Sequence, residues 1–144
     1  MKHRVINTIL FALAVLSLSC KRDQHPVPAV HVDMYVSLSI PSSQPLNAPG
    51  GAIYHEGGYK GLIIYRRMLT NSSDDFIAYD RACPNDWEKE CGRISISKDM
   101  MYGICGCDSG QYLLYDGSAI GGNESVPLKF YRVRYLGNSL HVFN

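Results

Sequence analysis

With 144 residues, 46% of them apolar and ten of them tyrosine, the chain holds enough material for one ordinary core and too much apolar content for a disordered segment. The formal charge is +1, from 14 basic and 13 acidic residues, and no basic run occurs. That balance excludes an electrostatic case for binding nucleic acid or anionic lipid.

Met1-Lys2-His3-Arg4 is a short basic start, and Val5 to Leu18 is an apolar run broken only by Asn7, Thr8 and Ser17. The run is too short for a spanning helix of about 20 apolar residues and fits a secretory signal over residues 1–19. It ends Leu16-Ser17-Leu18-Ser19-Cys20, which looks like a bacterial lipobox, although Ser17 stands where leucine is preferred. The likeness implies diacylglycerol on the Cys20 sulfur and cleavage before that residue. Two or three acyl chains would anchor the protein stably, at about 0.8 kcal/mol per buried CH₂. The expected address is the bacterial cell envelope, with a membrane as partner through the lipid and an envelope protein as a further one. Residues 20–30 carry Pro26 and Pro28 without periodicity and read as an extended tether, with His25 a solvated linker residue.

The remainder, residues 31–144, reads as one domain of short strands. His31 to Ile40 alternates at period two, and Pro41 to Gly51 reads as a loop. Ala52 to Glu56 is a short strand, Gly57-Gly58 a turn, and Gly61-Leu62-Ile63-Ile64-Tyr65-Arg66 a strand of the fully buried type. Asn71 to Asp74 makes a hairpin turn into Asp75 to Asp80. Arg93 to Ser97 alternates, Lys98-Asp99 turns, and Met100 to Cys105 follows. Gln111 to Tyr115 is a further strand, Gly121-Gly122-Asn123 a loop, and Leu128 to Leu136 with Ser139 to Phe143 a closing hairpin across Gly137-Asn138. No stretch carries a helical stripe, so the fold class is all-β, a sandwich or barrel.

Chemistry concentrates between Cys83 and Gly117. One box reads Cys83-Pro84-Asn85-Asp86-Trp87 with Cys91 after it; a second reads Cys105-Gly106-Cys107-Asp108-Ser109-Gly110, running on to Tyr112-Leu113-Leu114-Tyr115-Asp116-Gly117. Outside the cytoplasm, four such cysteines read as a disulfide framework or a metal site. Cys105 and Cys107, two apart on an extended chain, point the same way without the geometry that a disulfide between them needs. His31, His55 and His141 lie on expected strands, and none stands beside a serine or cysteine in a recognisable catalytic box. The carboxylates are scattered as well, so no enzyme activity is expected.

The two boxes resemble the cluster-binding loops of the Rieske family, in which C-x-H and C-x-x-H boxes hold a 2Fe-2S cluster. The likeness covers roughly Ala52 to Asn144, including the Phe76-Ile77-Ala78-Tyr79-Asp80 strand before the first box. Pro45-Leu46-Asn47-Ala48-Pro49-Gly50-Gly51 and Gly61 to Arg66 also resemble small Rieske-like lipoproteins of the Bacteroidota. The resemblance implies a Rieske-like sandwich with a small cluster-loop subdomain. Cys83 and Cys105 occupy the positions of the ligand cysteines, whereas Asn85 and Asp108 stand where the two histidines belong. A neutral amide and a hard carboxylate suit iron-sulfur chemistry poorly. The expected cofactor is therefore none, with 2Fe-2S on Cys83 and Cys105 as the alternative.

The resemblance also implies pairings. Many Rieske proteins clamp their two loops with an extra disulfide, which points to Cys91–Cys107, although Cys91 sits later than the usual partner. Closing that loop of about 16 residues contributes on the order of 3 kcal/mol. The family places Cys83 and Cys105 on one iron, so without a cluster they form a second disulfide. Zinc or an all-cysteine cluster on the four thiolates stays open, as does a thiol redox module built on Cys105 and Cys107. The leading expectation is a non-enzymatic, disulfide-braced structural or partner-binding module on a lipid anchor. A 2Fe-2S electron carrier with atypical ligands is the alternative.

Overall fold

The structure is a computed structural model that describes residues 25–121 and 126–144. The expected signal segment, Cys20, the first part of the tether, and Gly122-Asn123 of the third loop lie outside the described residues.

Among the described residues ten strands form two sheets: β1 (Asp33–Ser37), β2 (Ala52–His55), β3 (Leu62–Arg66), β4 (Phe76–Asp80), β5 (Ile94–Ile96), β6 (Tyr102–Cys105), β7 (Gln111–Leu113), β8 (Ala119–Gly121), β9 (Phe130–Tyr135) and β10 (Ser139–Phe143). The larger sheet runs β1-β10-β9-β4-β3-β2 and the smaller β5-β6-β7-β8, each antiparallel throughout. Every strand expected from the alternation is present, usually shortened by a residue or two. The three-residue β8 was not foreseen.

Side-chain alternation places two cores on opposite faces of the same strands. Val36, Ile53, Leu62, Ile64, Phe76, Ala78, Tyr131, Leu140 and Val142 come from all six strands of the larger sheet and meet in one cluster, so the sheet wraps around it. From the same β3 and β4, Ile63, Tyr65 and Tyr79 point the other way, into a second cluster with Ile94, Tyr112, Leu114 and Leu128 from the smaller sheet and its flanks. β3 is thus buried along its whole length, as the apolar run Leu62 to Tyr65 requires of all but its closing Arg66. Each fully buried Leu or Ile contributes roughly 1.5–3 kcal/mol.

Two segments differ from the sequence reading. The expected loop after β1 contains a 3₁₀ turn, Pro41–Asn47, which starts on a proline and drives Leu46 fully into the first core. The described end of the expected tether does not stand clear of the domain. Val27 is buried, and Lys129 Nζ donates to the carbonyls of Val27 (3.1 Å) and Pro28 (2.5 Å). His25 is half-buried rather than solvated. Its Nδ1 accepts from the Val27 N–H (3.2 Å) while Nε2 donates to the Pro127 carbonyl (2.8 Å). One apolar residue and a lysine in reach of two free carbonyls outweigh the extended bias of the prolines.

Candidate functional site

Asp80, the last residue of β4, organises the approach to the first cysteine box. Its carboxylate is fully buried and accepts from Tyr59 N (2.5 Å), Lys60 N (3.2 Å), Ala82 N (2.8 Å) and the Tyr131 hydroxyl (2.8 Å). A buried carboxylate is tolerable only with such a full set of donors. It ties the β2–β3 turn, β9 and the residue before Cys83 to one point.

The first box then closes on itself. Asp86 N donates to Cys83 O, Lys89 N to Asp86 O, Gly92 N to Lys89 O, and Cys83 N to Gly92 O, at 3.0–3.2 Å. Only glycine fits at position 92, because a Cβ there would sit 1.7 Å from the Asp86 carbonyl oxygen. The second box is a tight turn in which Ser109 N donates to Cys105 O (3.1 Å) and Cys105 N to Gly110 O (2.8 Å). Gly106 N reaches across to Arg93 O (3.2 Å), and a Cβ at Gly106 would approach the Cys91 carbonyl oxygen to 2.6 Å. The two boxes therefore lie backbone to backbone.

Two disulfides join them. Cys83–Cys105 spans 22 positions with a Cα–Cα distance of 5.7 Å, and Cys91–Cys107 spans 16 with 4.9 Å. These are the two pairs that the Rieske resemblance implies. Their settings differ: Cys83 and Cys105 are 0% and 1% exposed and belong to the second core, whereas Cys91 is exposed and Cys107 half-buried.

The other expected site positions fall as follows. Asn85 is exposed. Asp108 is exposed too, and its Oδ1 accepts from Gly110 N (2.9 Å), which shapes the second turn. Trp87 is half-buried and meets Tyr59 edge-on at 5.6 Å. Two of the histidines are engaged elsewhere, His55 Nδ1 on the Glu56 carbonyl (2.9 Å), and His141 on Asp33 (2.6 Å), stacked between Tyr35 and Phe143, and His31 is exposed just before β1.

Sequence reasoning did not single out Asp86, which stands in a stretch of alternating charge with Glu88, Lys89 and Glu90. Its carboxylate lies with the Cys105 and Cys107 sulfurs in one group of ligand atoms within 4.8 Å of one another. Lys89 pairs with it at 2.7 Å, and the hydrogen bond and charge of Asp86 raise the lysine pKa. No spacing rule marks Asp86; the turn that follows Cys83 swings it toward the second box.

The donor set does not fit a Rieske cluster. Both sulfurs at the ligand-cysteine positions are bonded to each other, and among the described residues no histidine joins any group able to hold a metal.

Comparison with solved structures places the architecture. The crystal structure of the cyanobacterial plasma membrane Rieske protein PetC3 from Synechocystis PCC 6803 superposes with a TM-score of 0.54 at 13% identity, over 81% of this chain and 100% of that one. The fold is Rieske-like. The ferredoxin of carbazole 1,9a-dioxygenase from Nocardioides aromaticivorans is also similar, with a TM-score of 0.48 at 16% identity over 80% of this chain and 98% of that one. The Sphingomonas yanoikuyae B1 ferredoxin gives 0.48 at 13% over 78% and 99%. No family model and no curated protein matches the sequence. Within the Rieske-like architecture, β5 to β8 form the smaller sheet that presents both cysteine boxes.

Proposed function

We propose that this chain is a lipid-anchored envelope protein in which a Rieske-like site has exchanged its cluster for two disulfides and serves as a non-catalytic structural or partner-binding module. One observation carries the reading: the Cys83–Cys105 sulfurs, at the positions that would hold one iron, are bonded to each other inside an apolar cluster. With Asn85 and Asp108 in place of imidazoles, sulfur–sulfur bonding satisfies the thiols better than iron would. Anchoring rests on the lipobox-like ending at Cys20. Mass spectrometry of protein from native membranes tests both halves. The reading expects a diacylglyceryl group on Cys20 and only the Cys83–Cys105 and Cys91–Cys107 peptides under non-reducing digestion. Free thiols at Cys83 and Cys105, or an unmodified Cys20, would overturn the respective half.

A second reading draws on Asp86. If the disulfides are reduced, its carboxylate and the Cys105 and Cys107 thiolates are close enough to share one ion, as a carrier with non-histidine ligands would need. Metal content of the natively produced protein separates the two.

A further inference from the structure

Beside the cysteine boxes lies a groove of about 460 Å³, lined among others by Tyr54, Glu56, Lys60, Gly61, Arg81 and Arg93. Gly61, at φ +99°, lies beneath two guanidinium side chains: a Cβ there would be 3.3 Å from both Arg81 Cδ and Arg93 Nη2. Arg81 is fixed in place. Its Nε donates to the Ile94 carbonyl (3.0 Å), and its guanidinium lies 3.9 Å above the Tyr54 ring. Tyr54 is itself pinned, because its hydroxyl accepts from Ile96 N (2.7 Å).

These contacts use one of the five N–H donors of Arg81. Among the described residues neither Arg81 nor Arg93 has a carboxylate within ion-pair distance, and the Arg93 guanidinium makes no hydrogen bond. Two like charges are therefore held together with unused forked donors, Lys60 lies beside them, and Glu56 is the one acidic residue in the lining. Burial first, then the neighbouring Arg93, lower the Arg81 pKa, in keeping with uncompensated charge at this place. A planar fork locked over an aromatic ring is pre-organised for a multivalent oxyanion.

We propose that this groove binds a tetrahedral oxyanion, the phosphate or sulfate group of an ester. The proposal holds whether or not the cysteines carry metal.

The experiment titrates the full-length protein in detergent with inorganic phosphate, inorganic sulfate and acetate, reading heat of binding and thermal midpoint. The proposal expects saturable binding of phosphate or sulfate and weaker binding of acetate. Arg93→Gln, an exposed position, should weaken binding about tenfold, the order expected for one lost charge-assisted hydrogen bond, and should not lower the ligand-free midpoint, since it relieves the repulsion of Arg81. Arg81→Lys keeps the charge, loses the fork and should weaken binding likewise. Arg132→Gln on β9 should bind as the parent does. Titration with glycerol phosphate and with a monosaccharide sulfate then distinguishes the source of the anion, and preferential binding of either supports the site. No saturable binding, equal binding of acetate, or undiminished binding by Arg93→Gln would overturn it.

Discussion

Consider two double variants, Cys83→Ala/Cys105→Ala and Cys91→Ala/Cys107→Ala. In the chain-entropy model, a bridge spanning 22 positions stabilises by about 3.4 kcal/mol and one spanning 16 by about 3.1 kcal/mol, so loop length alone barely separates them. Burial does separate them. Removing two sulfurs from fully buried positions leaves a void among Ile63, Ile94 and Tyr112, on the order of 1 kcal/mol at about 24 cal/mol per Å³. The more exposed pair, with Cys91 exposed and Cys107 half-buried at the edge of that core, leaves a smaller one. The buried-pair variant should therefore lose about 4 kcal/mol and the exposed-pair variant about 3 kcal/mol. Because each loop contains an end of the other, each bridge closes a shorter effective loop while its neighbour is intact, so removing both should cost somewhat more than the sum of the two single-pair losses. Urea unfolding with intact parent and variants in the same oxidising buffer measures both losses. If the exposed pair proves the costlier, or the buried pair costs under about 1 kcal/mol, the assignment of Cys83–Cys105 to the core is wrong.

Other variants probe the framework around the site. Asp80→Asn places an amide N–H against donors that now meet a carboxylate, and should destabilise by about 2–4 kcal/mol, measured by urea unfolding. Tyr79→Phe should be neutral or stabilising by up to about 1–3 kcal/mol, since the Tyr79 hydroxyl is buried with no hydrogen-bond partner among the described residues; a loss of stability would show that it has one. Gly117→Ala should cost roughly 1–3 kcal/mol, because φ is +78° and the new Cβ would lie 2.7 Å from the Tyr79 ring. Docking of the described tether should depend on pH. Burial is the main cause that lowers the His25 pKa, and Nδ1 must stay unprotonated to accept from Val27. A lowered base pKa means that the docked form binds fewer protons. Its stability is thus complete above the usual value of 6.5 and falls as pH drops through that value toward the lowered one. Hydrogen exchange at Val27 across that range should show the loss in parent protein and a pH-independent rise in His25→Ala.

How much of this was legible in the sequence varies with the residue. The Leu62 to Arg66 run announced a strand buried on both faces, and the structure uses it to divide two cores. Arg66 closes that run as a buried charge, which the pattern did not explain. It pairs with Asp75 at 3.5 Å and donates to the Leu46 carbonyl (3.0 Å). Burial opposes ionisation of Asp75, yet the Thr70 hydroxyl and the Thr70 and Asn71 N–H groups outweigh it and hold its pKa below the usual range. The cysteine boxes were visible because sulfur is rare and its spacing distinctive. Asp86 was not, since an acidic residue in a charged loop looks solvated until the turn is built. The docking of Val27 and His25 was hidden by flanking prolines, whose local bias says nothing about a lysine a hundred residues away. The convergence of Arg81 and Arg93 over Gly61 likewise depends on the Ala82–Arg93 bridge, which no local pattern reports.

Iron and acid-labile sulfide per chain, with the electron paramagnetic resonance spectrum after dithionite, address the replacement of cluster by disulfides most directly. Material produced in its native envelope should contain neither element in stoichiometric amount and give no iron-sulfur signal. Two irons and two sulfides per chain with a reduced-cluster spectrum, roughly as a 2Fe-2S centre gives, would contradict the account.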